Sequence, residues 1–286
     1  MRQSTARSEN SRLIKNYTNM NFPTVCVHGL TKVFYDESRG EVRAVDGIDF
    51  ECRPGEIFGL LGANGAGKTT TLRMLATILE PTRGGATLMG HDLQREPEAV
   101  RRNLGFSSAT TALYPRLTAR ETLEFFARIN GCPAAGVRDR VAALIARFGI
   151  GDYADARVDK LSQGMKQKVA IARTVVHEPP VLIFDEPTVG LDVLNTLEMQ
   201  QVIAQFRAEG KTILFSTHIM SEAEKLCDRI AIIHQGKIHA CDTLAQLRVA
   251  TGLHYLEDIF VHYVNLAREQ ALAPPTPAPL SPPGTP

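Results

Sequence analysis

The sequence predicts an α/β fold with a mixed β-sheet, an antiparallel β edge and an inserted helical subdomain. Three observations predict it. Residues 62–69 read Gly-Ala-Asn-Gly-Ala-Gly-Lys-Thr, a glycine-rich turn between an apolar run and a helical pattern. Residues 181–184 form a short continuous apolar run, as expected of a strand buried on both faces, and 212–216 (Thr-Ile-Leu-Phe-Ser) read as another buried strand. From about 104 to 176, between the glycine turn and those runs, apolar residues recur mostly at helical spacing.

Taken in order, residues 24–28 alternate apolar and polar like a strand, and 42–52 hold a second strand around Ala44, Val45, Ile48 and Phe50. The charged stretch 35–41 between them reads as a turn. Ile57, Phe58, Leu60 and Leu61 lead into the glycine turn, and a helix leads out to about Leu79. Pro81 to Gly85 form a turn, 86–89 a short strand, and 90–92 another turn. Helices are predicted at 119–130, through Leu123, Phe126 and Ala127, and at 137–148, through Val141, Leu144, Ile145 and Phe148. The strand 181–184 follows, then a helix at 194–209, the strand 212–216 and a helix at 221–227. Residues 229–233 and 237–239 form a hairpin around Gln235 and Gly236. The expected organisation is a disordered extension (1–23), a nucleotide-binding domain (24–247) with its helical subdomain at about 104–176, and a C-terminal helix with a Pro-rich tail (248–286). Seven of the last thirteen residues are proline.

Composition sets bounds. The 286 residues suffice for a sizeable core. A net charge of +1 with 44% hydrophobic residues is an ordinary globular balance, with no electrostatic case for nucleic acid. No apolar stretch approaches the roughly 18 to 20 residues that cross a bilayer. Five scattered cysteines without C-x-x-C spacing read as reduced structural thiols. Residues 1–19 have no apolar signal core. They carry four basic residues and one acid, with Met20 as an alternative start just before the first strand.

The glycine turn matches G-x-x-x-x-G-K-[ST] in its required setting, after a strand and before a helix. Glycines let backbone N–H groups curl around phosphates, and the helix N-terminus favours the anion. Gly62, Ala63, Asn64, Gly65, Ala66, Gly67, Lys68, Thr69 and Thr70 are the candidate nucleotide contacts. Lys68 supplies a point charge, and the Thr69 hydroxyl can ligate Mg²⁺. The run ending in Asp185 and Glu186 presents two acids at the carboxyl end of a strand, where ligands bind in open α/β sheets. Asp185 can hold Mg²⁺ and Glu186 can polarise a water. Such a strand alone often just meets a solvated turn; the upstream loop makes the functional reading the stronger one. Ser162 suits a helix N-cap and Gly164 a close backbone approach, so this second helix start can serve a phosphate or be a simple cap.

With these motifs in this order, the sequence resembles the ATP-binding subunits of ABC transporters, from about residue 24 to 247. Residues 62–69 resemble the family's Walker A, 161–165 (Leu-Ser-Gln-Gly-Met) its signature, 181–186 its Walker B, and 189–192 its D-loop, ending in Asp192. His218 resembles the switch histidine, and Phe34 falls at the aromatic that stacks on adenine, with Tyr35 as the alternative. The resemblance implies a P-loop NTPase core that hydrolyses ATP with Mg²⁺. It implies a head-to-tail dimer, with a second copy or a paralogue, that traps each ATP between Lys68 of one copy and Ser162 and Gly164 of the other. It also implies an integral-membrane permease subunit as partner, and a peripheral place at the cytoplasmic face of the membrane.

Two departures stand out. The Gln expected after the strand entering the helical subdomain is Ala109, with Thr110 or Thr111 as replacements. The signature has Gln163 and Met165 at positions that differ from the common Leu-Ser-Gly-Gly-Gln. Loss of the Gln together with Gly164-Met165-Lys166-Gln167-Lys168 resembles the sodium-export branch, whose ATPase pairs with a separate membrane subunit; drug efflux is compatible too. Against a soluble ABC-type ATPase of DNA repair, the span from Lys68 to Leu161 has no long heptad run. Against a translation factor, only one ATPase unit is present. A small-molecule P-loop kinase leaves the signature without a purpose.

Overall fold

A computed structural model describes residues 22–38, 40–108 and 113–272. Ala109, Thr110 and Thr111 lie outside the described residues, as do the basic arm and the Pro-rich tail.

The predicted buried runs form the centre of a six-stranded sheet whose strands are, in order, Lys237–Asp242 (β10), Arg229–His234 (β9), Ile57–Leu61 (β3), Thr212–Thr217 (β8), Val181–Asp185 (β7) and Leu104–Ser108 (β6). Strands β3 (Ile57–Leu61), β8 (Thr212–Thr217) and β7 (Val181–Asp185) are buried throughout and lie parallel in register, Leu61 opposite Thr217 and Ser216 opposite Asp185. Because successive strand side chains point to opposite faces, these runs feed two cores. Leu182, Phe184, Ile213 and Phe215 face one core, with Ile145, Phe148 and Phe206. Val181, Ile183 and Leu214 face the other, with Leu72, Met74 and Leu75 of helix α1 (Lys68–Leu75).

The second core is closed by an antiparallel sheet of order β2-β1-β4-β5, formed by β2 (Gly40–Cys52), β1 (Val25–Asp36), β4 (Arg83–Leu88) and β5 (His91–Asp92). Strand β1 is longer than the pattern predicts. Bulges between Val27 and Val33 break its alternation, and pairing continues through Tyr35, opposite Glu41, where a turn is predicted. Pairing with β1 likewise makes Arg83 to Gly85 a strand rather than a turn, and His91–Asp92 pair with Leu88 and Thr87. Helix α1 ends at Leu75, before the predicted Leu79, and Thr77 takes a left-handed φ of 56°. Helix α2 (Pro97–Asn103) has no counterpart among the expected elements.

The stretch expected to be helical from 104 begins instead with strand β6 (Leu104–Ser108), which pairs in parallel with β7. Its five residues are too short to show a period, and the neighbouring strand decides its state. Helices α3 (Ala119–Ile129), α4 (Val137–Arg147) and α5 (Gln163–Thr174) follow. Thr118 and Glu121 make both bonds of a capping box at α3, worth about 1 kcal/mol. Helix α6 (Val193–Ala208), helix α7 (Met220–Leu226) and the hairpin β9 (Arg229–His234) and β10 (Lys237–Asp242) lie where the pattern puts them. Gln235 and Gly236 both have positive φ, as a two-residue type I′ turn requires. Helices α8 (Leu244–Thr251) and α9 (Leu256–Leu272) follow, and Leu256 and Ile259 share a third core with Leu61, Ile230 and Ile232. Among the described residues no helix is long and apolar enough to cross a membrane.

His177, next to the first core, donates from Nε2 to the Leu104 carbonyl at 3.1 Å, while its buried Nδ1 has no hydrogen-bond partner among the described residues. Burial, with Arg140 and Lys211 nearby, holds its pKa at about 4 against the usual 6.5. Above pH 6.5 the imidazole is neutral in both states. Between pH 6.5 and 4 the unfolded chain takes up the proton and the folded chain does not, so stability falls as pH falls. The loss reaches about 3 kcal/mol at the lower end. Urea unfolding of wild type and His177→Gln at pH 7 and pH 4.5 should show a smaller pH-dependent loss in the variant; equal losses would remove His177 as the cause.

Candidate functional site

The loop 62–69 is held from below by backbone. A Cβ on Gly62 would lie 2.4 Å from the Ile233 carbonyl oxygen, and one on Gly67 would lie 2.5 Å from that of Ala44. Gly67 also has φ 109°, and Gly65 has φ 80°. The Gly236 N–H donates to the Ala66 carbonyl at 2.9 Å, tying the loop to the β9–β10 turn. Ala63, Asn64 and Gly65 are exposed, Ala66 and Gly67 are buried, and Thr69 and Thr70 are half-buried. The first N–H groups of α1 have no acceptor within the helix and open toward an anion.

Lys68 is 4% exposed and turns back over the loop. Its Nζ donates to the carbonyls of Gly62 (2.7 Å) and Ala63 (3.2 Å), and it lies 3.0 Å from Glu186 Oε1. A buried ammonium needs such partners, since removing it from water uncompensated costs several kcal/mol.

The carboxyl ends of β7 and β8 complete the cluster. Thr69 Oγ1 donates to Asp185 Oδ1 at 3.1 Å, and Ser216 Oγ donates to the same oxygen at 2.6 Å. Glu186 has a left-handed φ of 49°, and its N–H is held by both the carbonyl (3.2 Å) and the hydroxyl (3.1 Å) of Ser216. His218 Nδ1 lies 3.2 Å from Glu186 Oε1. Partial burial pushes the Glu186 carboxyl up. The hydrogen bonds and charges of Lys68 and His218 outweigh it and hold the carboxyl below its usual range. A non-glycine residue in the left-handed region costs about 1–3 kcal/mol and marks a functional turn when its surroundings enforce it.

The donor set fits Mg²⁺. Thr69 and Asp185 offer a hydroxyl and a carboxylate side by side, the oxygen ligands this ion takes. Among the described residues no group of three His, Cys, Asp or Glu is placed to hold a metal ion by itself.

The remaining candidates lie apart from this cluster. Ser162 N-caps α5, accepting from Met165 N–H at 3.3 Å, and is exposed. Gly164 lies against Asn195, whose N–H donates to Asp192 Oδ1 at 3.0 Å in the N-cap of α6. Among the described residues no hydrogen bond joins Ser162 or Gly164 to the loop 62–69. Phe34 and Tyr35 are exposed on β1, Phe34 beneath the Lys32 ammonium at 5.3 Å. Sequence reasoning missed Ser216, and it missed Gln167, whose Nε2 donates to the Pro187 carbonyl at 2.9 Å and ties α5 to the turn after Glu186. The signal for Ser216 was available: a hydroxyl residue directly after the apolar centre of the strand, Ile213 to Phe215.

Comparison with known proteins agrees. The profile of the family described as ABC transporter matches residues 45–189. The ABC transporter ATP-binding protein NatA of Bacillus subtilis is 41% identical over 78% of this chain and 92% of its own length. The daunorubicin/doxorubicin resistance ATP-binding protein DrrA of Streptomyces peucetius is 39% identical over 80% and 68%. The Nod factor export ATP-binding protein I of Paraburkholderia xenovorans is 45% identical over 70% and 66%. A solved ATP-binding subunit of an ABC transporter superposes with a TM-score of 0.76 at 32% identity, covering 84% of this chain and 99% of its own. A dimeric ATP-binding cassette in a post-hydrolysis state, bound to ADP and Pi, superposes at 0.70 with 25% identity, covering 77% and 98%.

The two strained glycines make opposite predictions. Gly67→Ala meets backbone as well as an unfavourable φ, and should cost well over 2 kcal/mol and abolish nucleotide binding. Gly65→Ala meets open space and should cost only about 1 kcal/mol. Urea unfolding and ATP titration of the two variants check this; equal costs would contradict the packing described for Gly67.

Proposed function

This chain belongs to the ABC transporter family as an ATP-binding subunit and ATPase. From that premise we propose how its residues work. The carrying observation is that the loop, both acids and His218 converge at the carboxyl ends of three parallel strands, while among the described residues Ser162 and Gly164 make no hydrogen bond to that loop. The loop N–H groups and Lys68 bind the phosphates of ATP. Thr69 and Asp185 hold Mg²⁺, which neutralises phosphate charge. Phe34 or Tyr35 stacks on the adenine. Lys68 exchanges Glu186 and its own loop carbonyls for phosphate oxygens, so nucleotide binding frees the Glu186 carboxylate. Glu186 then orients and polarises the attacking water, and His218 holds that carboxylate in place.

The site is half complete in one chain. A second copy or paralogue, arranged head to tail, brings the N-terminus of its own α5 to the same nucleotide, and Asp192 lies at the seam. The triphosphate thereby joins two phosphate cradles, and its hydrolysis removes the differential contacts that hold them together. The family supports an integral-membrane permease subunit as partner and, with it, a peripheral position at the cytoplasmic face of the membrane. Tyr114 and Phe125, exposed and packed on Phe126 with the Arg173 guanidinium 4.7 Å from the Phe126 ring, support a docking surface in the helical region. The relatives' names span drug resistance and Nod factor export, which supports an exporter whose cargo, sodium or drugs included, is set by the permease.

Glu186→Gln should bind ATP, accumulate a dimer in size-exclusion chromatography and lose at least about 100-fold in hydrolysis, an effect in the range for a positioned general base. Full hydrolysis by this variant would remove Glu186 from that role. Arg at Ser162 (Ser162→Arg) should block the ATP-dependent dimer without weakening binding of ATP to the monomer.

A further inference from the structure

Ser216 is fully buried, next to last in β8, and takes no part in the roles assigned above. Its hydroxyl donates to Asp185 Oδ1 at 2.6 Å and accepts the Glu186 N–H at 3.1 Å. One oxygen thus links the side chain of the first acid to the backbone of the second. The second acid sits at a left-handed φ of 49° that this bond helps to enforce. Asp185 Oδ1 also receives the Thr69 hydroxyl at 3.1 Å, whereas Oδ2 accepts no hydrogen bond among the described residues. Two hydroxyls on one oxygen fix the carboxylate and leave the other oxygen open.

We propose that Ser216 is a positioning residue for the metal–nucleotide complex, setting the metal-binding carboxylate and the water-polarising residue as one unit. The inference rests on the roles proposed for Asp185 and Glu186. Its logic follows from the hydroxyl chemistry. Once Thr69 turns its oxygen toward a metal, Ser216 is the side chain still orienting Asp185. Groups that orient a ligating carboxylate typically contribute about 10–100-fold to metal affinity or activity. Both hydrogen bonds of this buried hydroxyl go to the two acids, so its burial is accounted for by them.

The test compares wild type, Ser216→Ala and Asp185→Asn by titration with a fluorescent ATP analogue, in EDTA and across a Mg²⁺ series, with steady-state hydrolysis alongside. Ser216→Ala should bind nucleotide in EDTA within about twofold of wild type, because the loop contacts are intact. The Mg²⁺ concentration for half-maximal response should rise about 10-fold or more, and kcat should fall about as far with little change in KM. Equal weakening with and without metal, together with a lowered melting temperature, would mean a packing role and overturn the inference. So would an unchanged Mg²⁺ dependence. If Asp185→Asn also leaves the Mg²⁺ dependence intact, the failure belongs to the metal reading of Asp185 rather than to Ser216.

Discussion

The parallel register of β3, β8 and β7 is the constraint on which the rest depends. Leu61, Thr217, Ser216 and Asp185 stand at one edge because their strands start level and rise together. The loop, the two acids and the histidine leave that edge from three separate stretches of sequence. A one-residue slip of β7 would swap the faces of Ile183 and Phe184 and turn Asp185 away from Thr69 and Ser216. The two cores on either side of the sheet resist that slip, since Phe184 stacks on Phe206 in one and Ile183 packs with Leu214 in the other.

Within this frame, charge is handled by exchange of partners. The buried Lys68 ammonium is satisfied by Glu186 and two carbonyls, and Lys68 and His218 hold the Glu186 carboxyl below its usual range. Neither charge is left bare, which a buried site demands. The arrangement couples two events: whatever takes Lys68 away from Glu186 releases the carboxylate for work. On the roles proposed for Lys68 and Glu186, binding and the preparation of the base are linked through one ion pair.

Much of this was legible in the sequence, for identifiable reasons. Continuous apolar runs gave the buried strands, and the glycine loop gave the helix start. The hairpin was legible because Gln235-Gly236 suits its turn. What escaped notice depends on neighbours. Strand β6 is five residues with no period and is a strand because β7 lies beside it. The extension of β1 through Tyr35 comes from pairing across bulges that erase its alternation. Lys68 reaching Glu186, and Ser216 bridging Asp185 and Glu186, connect residues 30 to 118 positions apart, and only the parallel register reveals them. The separation of Ser162 from the loop is likewise a property of the fold.

That separation makes complementation the most direct test of the central claim that each nucleotide site is shared between two chains. Lys68→Ala and Ser162→Arg each disable both sites of their own dimer. In a head-to-tail mixed dimer one site carries both lesions and the other carries none. An equal mixture should therefore recover ATP hydrolysis well above either variant, toward about a quarter of the wild-type rate. A mixture no more active than its two components would contradict the shared site.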